Sequence, residues 1–419
     1  MYKNDMPEAN CTPNCTHQVT DWQSPAGRAA TSWFAVAAVL LCGTAVAMNL
    51  GKVAVAMSQL RREFGLSLVE ASYLSSMINT LAVTCGLIIG LLAGRTGTLR
   101  MCVGGMLVSV LGTAGALAAS GTTLLLVSRF LEGAGLVCVA VSGPSLLTAA
   151  TTTYDRRIVL SMWSAYVPAG VGLAMLISPL TMEHGGWHTL WLITAVLLAG
   201  ALLAILLNRS QYRSHPAPNA AASRPDGAGS MLTSAAPWML ALAMGTWSLQ
   251  HFALIIWLPT FLAEQRSLEP GLIAVLCCVM VLANVPGNLL GGLLLHRGHG
   301  RGTLIASTSA FALLAGAGVY HDVLGDTQRY ALCVALSFAG GVIPAAVFSS
   351  SAVLARTPAQ IATLQGLFMQ CSNLGSFMGP PVIAWLVAGS GHWQAGYAAT
   401  GSAAVVGVAL GLMLHKTGH

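Results

Sequence analysis

The chain has 419 residues, 55% of them hydrophobic and only 8% charged, with a formal net charge of +6. A soluble protein carries about 25% charged residues. This composition therefore excludes a cytosolic enzyme, a disordered chain and a nucleic-acid binder, and the basic residues are spread thinly between apolar runs instead of forming a patch. Only helical bundles and closed β-barrels satisfy every backbone group in lipid. Barrel strands alternate apolar and polar residues, whereas this chain has long unbroken apolar runs. The expected fold class is an all-α membrane protein.

Residues 1–31 are mixed and polar and read as an N-terminal tail, not a cleaved signal peptide. Cys11 and Cys15 in that tail make a weak metal pair, and the sequons at Asn10 and Asn14 read as chance on a cytoplasmic segment. A spanning helix needs about 20 apolar residues. Twelve segments qualify: 32–57, 70–93, 101–120, 122–150, 158–181 and 187–207, then 236–263, 271–296, 303–320, 328–353, 360–388 and 392–414. Residues 208–235 are polar and rich in Pro, Gly, Ser and Ala, a linker composition that divides the chain into bundles 32–207 and 236–414, with a short tail at 415–419. Most other cysteines, such as Cys42, Cys102 and Cys277, lie in apolar runs and act as small hydrophobes.

Lys and Arg in loops set orientation. Thirteen of the nineteen fall in the segments on the N-terminal side. Four (Arg61, Arg62, Arg266 and Arg329) fall on the other side, and Lys52 and Arg129 lie within spans. Both termini and the linker are therefore expected in the cytoplasm. The halves also repeat. Gly90-Leu-Leu-Ala-Gly94-Arg95-Thr-Gly97 follows the second span, and Gly292-Leu-Leu-Leu-His296-Arg297 follows the eighth about 202 residues later. A duplicated six-helix unit is the mark of a transporter with its site between the repeats.

These motifs resemble those of the major facilitator superfamily. Gly90 to Arg100 is similar to the family's GxLaDrxGrr loop, with Gly94 in place of its Asp; in the second copy His296 takes that position and Arg297 and Arg301 are kept. The resemblance implies a cytoplasmic gating motif at Gly90, Arg95, Gly97, Arg100, Arg297 and Arg301, with a weakened or altered charge latch. Arg129-Phe-Leu-Glu132-Gly133-Ala-Gly135 resembles the family's RxxxGxG motif in the fourth span. Asn49-Leu-Gly-Lys52, Trp257-Leu-Pro259 and Gly379-Pro380-Pro381 are similar to the cyanate and nitroimidazole permease-like branch. The drug-exporter signature GPxxGG is missing from the fifth span, Tyr166-Val-Pro168-Ala-Gly170-Val-Gly172.

A charged side chain at mid-membrane costs about 2.5–3.5 kcal/mol on insertion scales, so such residues face the bundle interior. Lys52, Arg129 and Glu132 stand well inside spans, with His251 as a further titratable group, and the resemblance places spans 1, 4 and 7 around a central cavity. Lys52 with Asn49 three residues earlier could hold a carboxylate; the bland alternative is a lysine snorkelling to the interface. Arg129 and Glu132, spaced i, i+3, are either a scaffold pair or a proton-coupling device with Glu132 as carrier. Tyr166, Gln250, His251 and Asn373 are the polar candidates for a substrate cavity, beside amides that simply join helices. The net-positive balance favours a small organic anion or polar solute as partner, moved by alternating access, with proton symport as the coupling; a proton-driven exporter of hydrophobic compounds stays open. No P-loop, HExxH or Ser/His/Asp constellation occurs. No enzymatic activity, cofactor or nucleic-acid partner is expected, and nothing demands more than a monomer in a bacterial inner membrane.

Overall fold

The computed structural model describes residues 30–152, 154–155, 159, 162–163, 165–212, 233–321, 323–354 and 358–416, apart from the side chains of 87–88, 90–95, 352 and 358–363. Cys11, Cys15, the two sequons, most of the linker and the Arg95 side chain lie outside the described residues. The first half runs through α1 (Trp33–Phe64), α2 (Leu68–Ser76), a 3₁₀ turn (Met77–Asn79), α3 (Thr80–Thr96), α4 (Thr98–Leu117), α5 (Thr122–Ala150) and α6 (Tyr166–Leu207). The second runs through α7 (Ala235–Arg266), α8 (Pro270–Leu282), α9 (Asn284–His296), α10 (Arg301–Tyr320), α11 (Asp326–Gly340), α12 (Val342–Leu354), α13 (Pro358–Ser390) and α14 (Gly396–Lys416).

Among the described residues nine helical segments are long and apolar enough to cross a membrane. The difference from twelve has physical causes. At 1.5 Å per residue, α6 with its 42 residues would be about twice as long as a bilayer core is thick. It breaks at Gly185 (φ 160, ψ 18) and Gly186 (φ 66, ψ −155), so it holds the fifth and sixth expected spans. Gly186 has the positive φ that only glycine adopts without strain. The turn is fastened to the end of α1: the Trp187 N–H donates to Gln59 Oε1 (2.9 Å) and Trp187 Nε1 donates to Glu63 Oε2 (2.6 Å). The second expected span is interrupted by the 3₁₀ turn, and α13 supplies the eleventh.

Two further breaks follow from proline. Pro286 has no N–H to offer the carbonyl of Leu282, and α8 ends at Leu282; Pro344 stands in the same relation to Gly340, where α11 ends. A proline removes the i to i−4 bond and clashes with that carbonyl. Pro144, Pro179, Pro259, Pro380 and Pro381 stay inside continuous helices.

Close helix approaches repeat in the two halves. A Cβ on Gly133 of α5 would meet the Ile78 carbonyl of the second span, and a Cβ on Gly287 of α9 would meet the Phe338 carbonyl of α11. Small residues at such crossings let backbones approach where lipid offers no hydrophobic drive. Within the first half α1 packs on α5 and α6, and α4 packs on α5; within the second, α7 packs on α13 and α10 on α14. The halves meet where α13 lies along α2 and α3, α8 along α6, and α1 along α7. Gln370 Nε2 donates to the Val83 carbonyl across this seam (2.7 Å). Arg61 Nη1 pairs with Glu264 Oε1 at 3.0 Å on the face opposite the linker. Large apolar side chains such as Leu111, Leu180, Val196, Leu314 and Trp385 point outward, a belt that water would not tolerate and a bilayer accepts. The protein is a multi-pass membrane protein.

Candidate functional site

The charged residues of the first half gather into one buried cluster. Lys52 on α1 and Arg129 and Glu132 on α5 are at most 1% exposed. Lys52 Nζ lies 2.6 Å from Glu132 Oε1. Arg129, one helical turn before Glu132, pairs with the other oxygen, Oε2. Thr113 on α4 donates its hydroxyl to Glu132 Oε1 (2.8 Å). The guanidinium has two more acceptors: Arg129 Nε donates to the Leu74 carbonyl (3.0 Å) and Arg129 Nη2 to the Asn49 carbonyl (2.7 Å). The Lys52 ammonium also stands over the Trp191 ring, 4.5 Å from its centroid, a cation–π contact. One carboxylate thus serves two cations, and the cluster carries a formal charge of +1.

The arrangement explains the break in the second span. Arg129 draws on the Leu74 carbonyl, the acceptor for the next helical turn, where α2 gives way to the 3₁₀ turn at Met77. Ser72 and Ser75 back-bond to Val69 and Ser72 carbonyls just before it, a pattern that bends helices.

The structure changes the expected geometry in two respects. Lys52 does not snorkel; it is fully buried against a carboxylate. The three charges close on one another inside the first half. Their partners (Asn49, Leu74, Thr113, Trp191) all belong to the first half, because buried charges of opposite sign are tolerated only when closed on one another. The Asn49 side chain does not hold Lys52: among the described residues both amide atoms are buried without a hydrogen-bond partner, as is Trp191 Nε1. Buried polar groups left unmatched are rare.

The remaining candidates lie elsewhere. Tyr166 stacks on Trp163 with ring centroids 4.4 Å apart. Gln250 Nε2 is bound to the Thr246 carbonyl of its own helix (3.1 Å), and Asn373 Nδ2 to the Met369 carbonyl of its own (2.7 Å). His251 is buried in the second half, sharing a 3.0 Å hydrogen bond with the Ser337 hydroxyl and stacking on Trp247 at 4.8 Å. In the loop motif expected to gate, Gly97 has φ 88 and forms the turn between α3 and α4. Arg100 and Arg297 are exposed and Arg301 is half-buried; Gly90 and Arg95 lie on α3.

Three participants were not among the sequence candidates. Thr113 and Ser109 make an i, i+4 polar pair in an apolar span, a legible signal; Ser109 Oγ donates to the Glu132 backbone carbonyl (3.4 Å). Trp191 sits in the sixth span, which resemblance assigns to the periphery, and nothing in its spacing marks it.

Residues 39–380 match the profile of the Major Facilitator Superfamily, and the chain belongs to that family of membrane transporters, which are not enzymes. It is 25% identical over 227 residues to the 2-nitroimidazole transporter of Escherichia coli K12; the match spans 54% of this chain and 56% of that protein. The fold is similar to that of a bacterial homologue of the human lysosomal transporter Spinster. In that protein's inward-facing and occupied conformation the TM-score is 0.75 at 15% identity, covering 91% of this chain and 96% of the other. In its inward-facing and unoccupied conformation the values are 0.72 and 16%, covering 91% and 94%.

Proposed function

We propose that the protein carries a small anionic or polar organic solute across the membrane by alternating access, with proton symport. The two halves, 32–207 and 236–414, rock about their seam, joined by a cytoplasmic linker at 208–235 and with both termini in the cytoplasm. The observation that carries the reading is the shared carboxylate: Lys52 and Arg129 both lean on Glu132. Protonating Glu132 releases two cations at once, and a buried double positive charge is costly without a counter-ion. An arriving anion supplies that counter-ion. Proton and anion are therefore best bound together, which is the requirement for symport. The unmatched Asn49 amide and Trp191 Nε1 offer neutral hydrogen-bonding groups beside the released cations. The nitroimidazole-transporter relative supports a small polar substrate. The Arg61–Glu264 pair supports a state closed on the face opposite the linker, with the path opening toward the cytoplasm.

The second reading, export of hydrophobic compounds by proton antiport, uses the same carboxylate in competition with the substrate. A thermal-shift screen of purified protein against small organic anions separates them, repeated on Lys52→Ala and Arg129→Ala. Stabilisation by an anion that both variants lose supports the anion reading; full retention in both overturns the site.

A further inference from the structure

Three helix ends of the second half meet at one corner on the linker side: the end of α9, the start of α10 and the end of α14. The α9–α10 turn, His296-Arg297-Gly298-His299-Gly300-Arg301, is closed by backbone bonds. The Arg297 N–H donates to the Leu293 carbonyl (3.0 Å), the His299 N–H to the Leu294 carbonyl (3.1 Å) and the Leu304 N–H to the Gly300 carbonyl (3.1 Å). Gly298 has φ 87, so the chain reverses there without strain. The end of α14 lies against the start of α10. Thr303 Oγ1 and His415 Nδ1 share a hydrogen bond of 3.1 Å, and a Cβ on Gly302 would meet the His415 backbone nitrogen. Arg297, Arg301 and Lys416 are thereby brought to one corner.

The charge there is unbalanced. Segments 284–321 and 327–419 contain no Asp or Glu. Asp155, at the linker-side end of the first half, is already engaged by the hydroxyls of Thr31 and Thr152. Among the described residues none of Arg297, Arg301 and Lys416 has an ion pair, and Arg301 Nε is buried without a hydrogen-bond partner.

The corner also borders the outward apolar belt. Leu293 stands one turn before Arg297, and Leu412 and Met413 stand one turn before Lys416; all three are exposed. A phospholipid whose chains lie along these residues presents its headgroup at the height of the three cations. Acidic headgroups are drawn to juxtamembrane basic groups, and guanidiniums take phosphate oxygens in pairs.

We infer that this corner binds the headgroup of an acidic phospholipid in the leaflet on the linker side, through Arg297, Arg301 and Lys416. It shares no residue with the cluster around Glu132, so it stands or falls separately from the transport reading.

Native mass spectrometry of the purified full-length protein tests it, with dioleoylphosphatidylglycerol titrated against dioleoylphosphatidylcholine. The first phosphatidylglycerol adduct is expected to form at least about tenfold more tightly, since each juxtamembrane basic residue contributes about fivefold. Arg297→Gln combined with Lys416→Gln, both at exposed positions, is expected to remove that preference and leave phosphatidylcholine and the melting temperature unchanged. Arg100→Gln combined with Arg209→Gln, two exposed arginines at the linker-side end of the first half, is expected to keep the preference. Inorganic phosphate is expected not to displace the lipid. Equal binding of the two lipids, or a preference undiminished in the Arg297/Lys416 variant, overturns the proposal. So does an equal loss in the Arg100/Arg209 variant, which would show general surface charge, or displacement by inorganic phosphate, which would show a free-anion site.

Discussion

Glu132 on α5 receives Lys52, eighty residues earlier on α1, at 2.6 Å, while its second oxygen is held by Arg129 one turn before it. A single carboxylate therefore joins two helices and two cations.

Glu132→Gln fixes the neutral form without changing the shape of the side chain. It leaves two buried cations without a counter-ion, a defect of about 3–5 kcal/mol when a buried pair loses one member. The variant is expected to melt well below the parent and to regain stability when a transported anion is added. In proteoliposomes its uptake no longer accelerates under an inward proton gradient, whereas anion exchange persists. Scanning calorimetry with and without anion, paired with the two flux assays, checks this.

Lys52→Met works in the opposite direction. It removes the excess cation and leaves Arg129 and Glu132 as a neutral pair, and replacing a buried charge by an apolar residue of similar volume is often neutral or stabilising. Melting temperature is expected to equal or exceed that of the parent, while anion-induced stabilisation disappears. Lower stability together with preserved anion response would show Lys52 to be scaffold.

Gly133→Ala places a methyl against the Ile78 backbone at the crossing of the second and fourth spans. Backbone cannot yield as a flexible side chain does. Overpacking costs about 1–3 kcal/mol, and the crossing lies one residue from Glu132, so both thermal stability and transport rate should fall. Gly115→Ala, where the added methyl meets open space, is the control expected to change neither.

Arg61→Ala opens the pair to Glu264 on the face opposite the linker. Both partners are partly exposed, so the pair contributes only about 0.2–1 kcal/mol, enough to shift a two-state equilibrium about fivefold at most. A modest rise in labelling of a cysteine placed in the seam, with melting temperature nearly unchanged, is expected. A large change in either would show that the pair does more than bias closure.

The helical membrane fold was legible because so few charges interrupt such long apolar runs, and the buried charges were legible as the exceptions. Pairing of Arg129 with Glu132 follows from i, i+3 spacing. Pairing of Lys52 with Glu132 does not, since it depends on how α1 and α5 are rotated against each other, and periodicity in a uniformly apolar helix carries almost no facing information. Trp191 was hidden for the same reason. The breaks at Leu282 and Gly340 have a local cause in Pro286 and Pro344, whereas the break before Thr80 arises from Arg129 reaching the Leu74 carbonyl, a tertiary contact.

The central claim, that Glu132 takes up a proton as an anion binds, is tested most directly by titration calorimetry of a stabilising anion in buffers of different ionisation enthalpy. The account predicts uptake of about one proton per anion by the parent protein and none by Glu132→Gln, from the linkage between binding and protonation. Anion binding without proton uptake in the parent, or the same uptake in the variant, would contradict it.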